Sequence, residues 1–599
     1  MSSRAIAEWL DEIRGFEKAG EFFQAIDRAE RGLKEHPDDR WLKHRAVLAF
    51  ANAGATGEAR RRYEAYGLAA CSDEDIGALD ARLLKDQAFA GSGAARRAHL
   101  LAAAERYHGL ALRGGFASYP AVNAATLFLL AGESGRARAV AERLLPPLEE
   151  ALAAGTIDYW GLATLIETLV VLGRGAEAQA LLPLALAQAG GNRADLASTW
   201  RQLGRLAEAG LVDRALFEPL RPATILHYTG HIIAPPGRSG RFPATAEARV
   251  RDEIGRRLEA MRAGAGYGSL AAGADILFAE ALLARGAELH VVLPFAEADF
   301  IEASVRPAGA GWVERYAACK ARALSWRQAT SDAHSDNDVL FGYCSRIAMG
   351  LAILQAEHLG SAAGQIAVFD GRPGGSGPAG TAADLALWRT TGLEQTIIAL
   401  EPGPLESGGA AAGPAAAAPS GQPLRAMLFG DVKGFSQLND LQIPAFVEHL
   451  LGCLAGAIKA SGATIETANT WGDGIFLILP GTAEAARCAL AMQAALERFD
   501  FAKAGLPDSL RLRIGGHYGP VHDVIDPIVN KRGYAGVHVT TAARIEPVTP
   551  EGCVYVTEPF AADLALSHRR DFSCDYVGLT ESAKKFGAMR MFLLRRRPA

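Results

Sequence analysis

The chain has 599 residues, 49% hydrophobic and 22% charged, which is ordinary globular composition for about three or four domains, each expected to bury its own core. A formal net charge of -5 is too mild to imply a nucleic-acid or membrane partner, and Arg595, Arg596 and Arg597 are too short a run for a polybasic anchor. The cysteines (Cys71, Cys319, Cys344, Cys453, Cys488, Cys553, Cys574) show no C-x-x-C spacing, which excludes a zinc ribbon and argues for reduced thiols in the cytoplasm. In chain order, Met1 to Glu12 carries Arg4, Glu8 and Asp11 and has no apolar signal core. No stretch is expected to approach the roughly 20 apolar residues of a spanning helix.

Residues 1–222 are expected to be all-α, with Ala-, Leu- and Arg-rich runs punctuated by Gly and Pro. Ala25, Ala29 and Pro37 stand where a tetratricopeptide unit has its small packing residues and terminal proline, and Ala59 follows Ala25 at about the 34-residue period of that repeat. Ala124 to Leu145 and Tyr159 to Leu182 each read as a helix pair around a Gly-containing turn. The region resembles tetratricopeptide arrays and the helical region called the TRAF-binding domain in some kinases. That resemblance implies an α-solenoid with a protein or peptide partner on its concave face, or one that merely braces its neighbours.

Residues 223–402 alternate strand and helix patterns: Thr224 to Tyr228, Leu289 to Leu293 and Gln365 to Phe369 are candidate strands of a parallel, Rossmann-like α/β domain. Gly266-Tyr267-Gly268-Ser269-Leu270-Ala271 matches the dinucleotide fingerprint literally. It follows the charged helical run Arg256 to Arg262, and Glu288 precedes a strand where the ribose acid should end one, so the match is rejected. Gly273 and Asp275 are expected to open one helix, and Gly377 to Asp384, with Gly380 and Thr381, another; glycines at two helix N-termini make an anion-ready site. His231, Arg238 and Arg241 in the preceding loop are candidate phosphate contacts, or plain surface charges. These segments resemble the superfamily of lysine-decarboxylase-like nucleotide hydrolases and DNA-processing proteins, which implies a nucleotide-derived ligand. No general base for hydrolysis is evident. Residues 403–423, rich in Gly, Ala and Pro, are expected to be a linker.

In residues 424–599, Phe429-Gly430-Asp431-Val432-Lys433-Gly434-Phe435-Ser436 and Trp471-Gly472-Asp473-Gly474 each place a carboxylate at the mouth of an apolar strand, where an acid is costly unless paired or coordinated. Each is also compatible with a plain turn aspartate. Two carboxylates with no His or Cys nearby suit Mg²⁺, so Asp431, Val432 and Asp473 are the candidate metal positions. Arg513 to Gly519 reads as a strand, and Gly536 leads into Val539-Thr540-Thr541-Ala542-Ala543-Arg544.

In this order the motifs resemble the catalytic domain of class III adenylate and guanylate cyclases, over roughly Leu424 to Arg597. The resemblance implies an α+β, ferredoxin-like fold and conversion of ATP or GTP to a 3′,5′-cyclic nucleotide with two Mg²⁺ or Mn²⁺ ions. It also implies a site shared across a homodimer, with Arg544 stabilising the transition state and Thr540 standing where the family has a ribose-positioning asparagine. Asn469 occupies the purine-reading position, where its amide mildly favours ATP, and Gly533 stands where a partner aspartate is expected. Lys585, in Ser582 to Gly587, takes the triphosphate-binding lysine's place. The departures at Thr540, Asn469 and Gly533 also admit a non-catalytic module that binds nucleotide or dimerises. A third option puts the main chemistry in the central domain.

Overall fold

In the computed structural model, residues 4–71, 73–116, 118–190, 193–331, 338–372, 379–401, 422–528, 530–581 and 587–597 are described. The N-terminal region consists of α1 (Ile6–Ala19), α2 (Phe22–Glu35), α3 (Arg40–Asn52), α4 (Thr56–Ala65), α5 (Glu74–Ala90), α6 (Gly93–Arg113), α7 (Ser118–Leu130), α8 (Ser134–Ala153), α9 (Tyr159–Val171), α10 (Gly175–Ala180), α11 (Leu182–Ala189) and α12 (Arg193–Glu208). Its helix starts are set by side chains: Asp39 accepts from the backbone of Trp41 and Leu42, and Asp158 from Gly161, satisfying donors that a first turn leaves open. The array does not present an open concave face. Helix α1 packs against α12, with Lys18 attracting Asp195 across the seam, so the helices close around an interior recess of about 610 Å³.

The central region is a six-stranded parallel sheet in the order β4-β3-β2-β1-β5-β6, with β1 (Thr224–Gly230), β2 (Ala263–Gly268), β3 (Glu288–Leu293), β4 (Ser325–Gln328), β5 (Ala363–Phe369) and β6 (Glu394–Ala399). Helices α13 (Glu247–Ala260), α14 (Ala274–Ala284), α15 (Glu297–Ser304) and α16 (Ala310–Arg322) join the strands of one half; α17 (Val339–Leu359) crosses to β5 and α18 (Thr381–Arg389) leads to β6. Strand order reverses between β1 and β5, which opens a crevice beyond their C-terminal ends. Gly266 and Gly268 of the fingerprint-like segment lie inside β2. A Cβ on either would meet Leu282 or Tyr228 within 2.4 Å, so these glycines serve helix-to-sheet packing.

The C-terminal region is a seven-stranded sheet in the order β14-β15-β13-β10-β7-β9-β8. The strands are β7 (Leu424–Lys433), β8 (Thr467–Trp471), β9 (Gly474–Leu479), β10 (Arg511–Pro520), the hairpin β11 (His522–Asp526) and β12 (Lys531–Ala535), then β13 (Val554–Thr557), β14 (Phe572–Glu581) and β15 (Ala588–Arg596). The helices are α19 (Gln442–Ala445), running through a π-helical turn at Phe446–Leu451 into α20 (Gly452–Ala460), then α21 (Thr482–Glu497), α22 (Val537–Ala542) and α23 (Glu558–His568).

The central and helical regions each bury apolar clusters of their own, around Leu226 to Leu400 and Ala111 to Leu220, and a further cluster is shared by all three regions. The shared cluster runs from Ile13 and Phe50 through Ile347 and Leu354 of α17 to Leu477, Phe560 and Phe592, because α17 offers apolar residues to the sheet on one side and to its neighbours on the other. Gly350 of α17 lies so close to α23 that a Cβ would fall 2.0 Å from the Ala562 carbonyl oxygen. Arg346 pairs with Asp563 at 2.7 Å and Arg327 with Glu558 at 2.6 Å, while Asp27 of α2 accepts from the Tyr576 hydroxyl at 2.5 Å.

Two described helices, Val339–Leu359 and Gln442–Ala460, are long and apolar enough to cross a membrane by length and composition, contrary to the expectation that none would be. Isolated polar residues such as Ser345, Arg346 and Gln355 interrupt the apolar run without lowering its mean below that of a span. In the first helix, 72% of the apolar window is buried inside the protein.

Candidate active site

The C-terminal site is built on the centre of the sheet. Ala426, Met427 and Leu428 bury β7 between β10 and β9, and the register then sets Asp431 opposite Arg513 on one side and Gly474 on the other. Gly472, with φ of 63°, takes the left-handed conformation that the tight β8–β9 turn requires, and the turn brings Asp473 beside Asp431. Arg513 donates to Asp431 Oδ2 from Nη2 at 2.9 Å and from Nε at 3.1 Å, and its Nε lies 2.5 Å from Glu546 Oε1.

Burial, reinforced by the charge of Asp431, raises the Asp473 carboxyl above its ordinary value. Burial also pushes Glu546 up to about 7, despite Arg513 and with help from Asp431 and Asp473. Three carboxyl groups thus share one guanidinium. A divalent cation fits this donor set, because its charge offsets the burial and the mutual repulsion that raise Asp473 and Glu546. Val432 has its side chain fully buried in the core, so it offers only its backbone to such an ion.

The other expected site residues are not bonded to the acids among the described residues. Helix α22 packs on β7 and β10; Thr540 is exposed on it, its Oγ1 donating only to the Gly536 carbonyl at 3.4 Å. Arg544, just past α22, has a buried Nε with no hydrogen-bond partner. Among the described residues, no hydrogen bond or ion pair joins Thr540 or Arg544 to Asp431 or Asp473. Asn469 is exposed on β8 opposite Phe476, and Gly533 pairs with Val524 in the β11–β12 hairpin with open space where a side chain would be. Lys585 lies outside the described residues.

Sequence reasoning missed Arg513 and Glu546 as site residues. Arg513 was visible as the first residue of its strand motif, but its register opposite Asp431 was not. It also missed a buried pair: His517 Nε2 lies 2.8 Å from His538 Nδ1, His517 Nδ1 lies 2.7 Å from Thr557 Oγ1, and burial drives His517 well below its ordinary value. Tyr343 of α17 meets His538 edge-on at 5.7 Å and donates to the Tyr518 carbonyl at 2.8 Å, so the central region touches the helix that leads to Arg544.

A second site lies in the central region, where a cavity of about 740 Å³ at the β1–β5 reversal is lined by Asp275, Gly380, Thr381 and Asp384. Gly273, φ 115°, opens α14 but is pressed against the backbone of His231 to Ile233. Both helix starts already hold an acid. Burial pushes Asp275 up to about 7 and Asp384 to about 6; Asp384 accepts from Thr229 at 2.8 Å, while one oxygen of Asp275 has no partner. Of the loop cations, Arg241 grips Asp370 with two bonds of 2.6 and 2.9 Å, His231 lies 3.0 Å from the same carboxylate, and Arg238 is exposed. Although burial opposes it, these bonds hold Asp370 below the usual carboxylate range. Arg241 and His231 thus line the cavity while bound to Asp370. Gly377 lies outside the described residues.

No curated protein matches this chain. Among solved structures, similarity is found to the guanylate cyclase domain of RhGC from Catenaria anguillulae in complex with GTP (20% identity, 30% of this chain and 98% of that one, TM-score 0.26). It is found also to adenylate cyclases from Trypanosoma brucei (19% identity, 31% and 94%, TM-score 0.25) and to the adenylyl cyclase CyaB from P. aeruginosa (17% identity, 29% and 97%, TM-score 0.26). Residues 423–596, the segment that carries Asp431, Asp473, Arg513 and Arg544, match the family model of the adenylate and guanylate cyclase catalytic domain.

Proposed function

We propose that the C-terminal region is a purine nucleotidyl cyclase that turns ATP, in preference to GTP, into a 3′,5′-cyclic nucleotide and pyrophosphate. The observation that carries this reading is the juxtaposition of Asp431 and Asp473 at the mouths of β7 and β9, in a segment matching the cyclase family. Two divalent cations, Mg²⁺ or Mn²⁺, would neutralise charge on the attacking and leaving oxygens, and Asp431, Asp473 and the Val432 backbone would hold them. Arg513 anchors Asp431 in place between its neighbouring strands. Arg544 supplies a fixed positive charge to the transition state, Thr540 orients the ribose, Asn469 reads the purine edge, and Lys585 binds the triphosphate.

Because no hydrogen bond or ion pair among the described residues joins Thr540 or Arg544 to the acids of their own chain, the working site is read as a homodimer's, with acids from one copy and α22 from the other. Exposed Trp471, Ile525, Ile528 and Val537 supply apolar surface for that contact. The test is purified protein with ATP or GTP plus Mg²⁺ or Mn²⁺, products read by mass. Absence of a cyclic product under all four conditions would reduce the region to a nucleotide-binding or dimerising module. Mixing Asp473→Ala with Arg544→Ala subunits should give more activity than either alone, and no gain despite proven subunit exchange would place the site within one chain.

The unpartnered oxygen of Asp275 favours a second role, in which the central cavity senses a nucleotide-derived ligand in the cytoplasm and α17 carries the signal to the cyclase. Hydrolysis there is the alternative reading, since Asp275 and Asp384, pushed up to about 7 and about 6, lie in the range of a general base.

A further inference from the structure

The recess inside the helical ring is lined by the inward faces of α1, α3, α5, α7, α9 and α12, and its chemistry is unlike that of a peptide groove. Seven cationic side chains face four carboxylates there, a surplus of three. The surplus is concentrated where α5 meets α12. Lys85 is buried and donates to Asn123 Oδ1 at 2.8 Å. Arg82 pairs with Asp86 at 3.2 Å, but Arg201 reaches only the His358 carbonyl, at 3.2 Å. Arg205 stacks on Phe89 at 3.8 Å and touches Gln202.

Of the two acids nearby, Asp86 is taken by Arg82, and Glu167 is buried and held by the Thr126 hydroxyl and by Gln202 Nε2 at 2.8 Å. Like charge therefore meets like charge. Burial, with Arg205 and Arg82 as neighbours, presses Lys85 down to about 7, and burial with Arg82 and Arg205 presses Arg201 to about 10. Asp86 offsets Arg82, but Lys85, Arg201 and Arg205 hold no ion pair among the described residues, and buried cations in surplus are costly unless something anionic shares the space. Guanidinium forks are suited to phosphate oxygens in pairs. At the rim, Trp160 and Tyr119 are exposed and offer ring faces to the rest of a ligand.

We infer that this recess is a binding site for a small phosphate monoester, its phosphate seated among Arg82, Lys85, Arg201 and Arg205 and its body against Trp160 and Tyr119. The site is separate from the cyclase acids and independent of the reading given to them. Arg201 is bonded to the end of α17, and the His358 ring there meets Phe23 at 4.9 Å, which in turn meets Tyr576 of β14 at 4.2 Å. A phosphate drawn onto Arg201 is thus one residue from the helix shared by all three regions.

The test is calorimetric titration of the full chain at constant ionic strength with glycerol 3-phosphate, adenosine monophosphate and, as a dicarboxylate of similar charge, malonate. One site per chain is expected for the phosphate esters, adenosine monophosphate binding more tightly through the rim rings. Arg205→Gln and Lys85→Met should each weaken it at least tenfold, while the ligand-free variants melt no lower than the native chain because a repulsion has been removed. Should a variant fail to fold, hydrogen exchange on the native chain serves instead, with adenosine monophosphate slowing exchange in α5 and α12. Absence of saturable binding, equal binding of malonate, undiminished binding in folded variants, or unaltered exchange in α5 and α12 would each overturn the assignment.

Discussion

Asp431 and Asp473 stand half-exposed at the mouths of β7 and β9 beside Arg513, whereas Asp275 and Asp384 are sealed in the central cavity with no cation among their partners. Both pairs occupy strand or helix ends in apolar surroundings, yet they are prepared for different chemistry. The first is open to solvent and anchored at Asp431 by one guanidinium, which suits a metal-bound phosphate. The second is driven towards its neutral form by burial, so it offers hydrogen bonds to a ligand rather than charge. What separates them is solvent access and a single arginine, not the acids themselves.

The sharpest way to break the comparison is to remove one acid of each pair. Asp431→Ala or Asp473→Ala should cut cyclic nucleotide formation by about 100-fold or more, the scale of losing a charge contact at a transition state, with the melting temperature nearly unchanged. Asp275→Ala should leave the same assay within a few-fold when no other ligand is added. Equal activity in the Asp431 and Asp473 variants would remove them from the reaction.

The next effect is one of stability against pH. The Asp275 carboxyl titrates at about 7 in the folded chain against an ordinary 3.8, so its stabilising contribution is complete below about pH 4 and is lost as pH rises through 7. Asp275→Asn mimics the neutral acid, and above pH 7 it should be more stable than the native chain by on the order of a few kcal/mol. Melting curves from pH 4 to 8 would show the native chain falling relative to the variant. Parallel curves would mean that Asp275 is solvated.

A smaller effect is expected where the two pairs are joined. Gly350→Ala on α17 pushes a methyl into the Ala562 carbonyl and should destabilise the protein by about 1–3 kcal/mol, chiefly by loosening the contact between the central region and the cyclase. A thermal scan that resolves into separate transitions would show the loss of the shared core, and an unchanged single transition would show that α17 and α23 have room to part.

Least in size, Thr540→Asn should raise turnover a few-fold by extending the reach to the ribose. Since Thr540 is exposed, the melting temperature should not move. A folded variant of unchanged rate would mean that this position does not meet substrate.

The places of Asp431 and Asp473 at strand ends were legible because their cues are local. An aspartate ending a buried run, and Gly-Asp-Gly in a turn between strands, declare themselves in a few consecutive residues. The helix starts at Gly273 and Gly380 declare themselves in the same way. Arg513 and Glu546 did not, since nothing local distinguishes an arginine that faces Asp431 across a strand pair from one that faces water. The partner of Arg241 and His231 was hidden for the same reason: Asp370, which binds both, is over a hundred residues away in the chain.

Periodicity and glycine placement act over a few residues, which is why the helical, alternating and mixed character of the three regions, and the turns that carry Asp431 and Asp473, could be read along the chain. Only the tertiary structure decided that the helical array closes on itself around a basic recess, that α17 belongs to all three regions at once, and which acid each arginine neutralises. Those outcomes depend on which surfaces meet across long stretches of chain, and on how much water is left between them when they do.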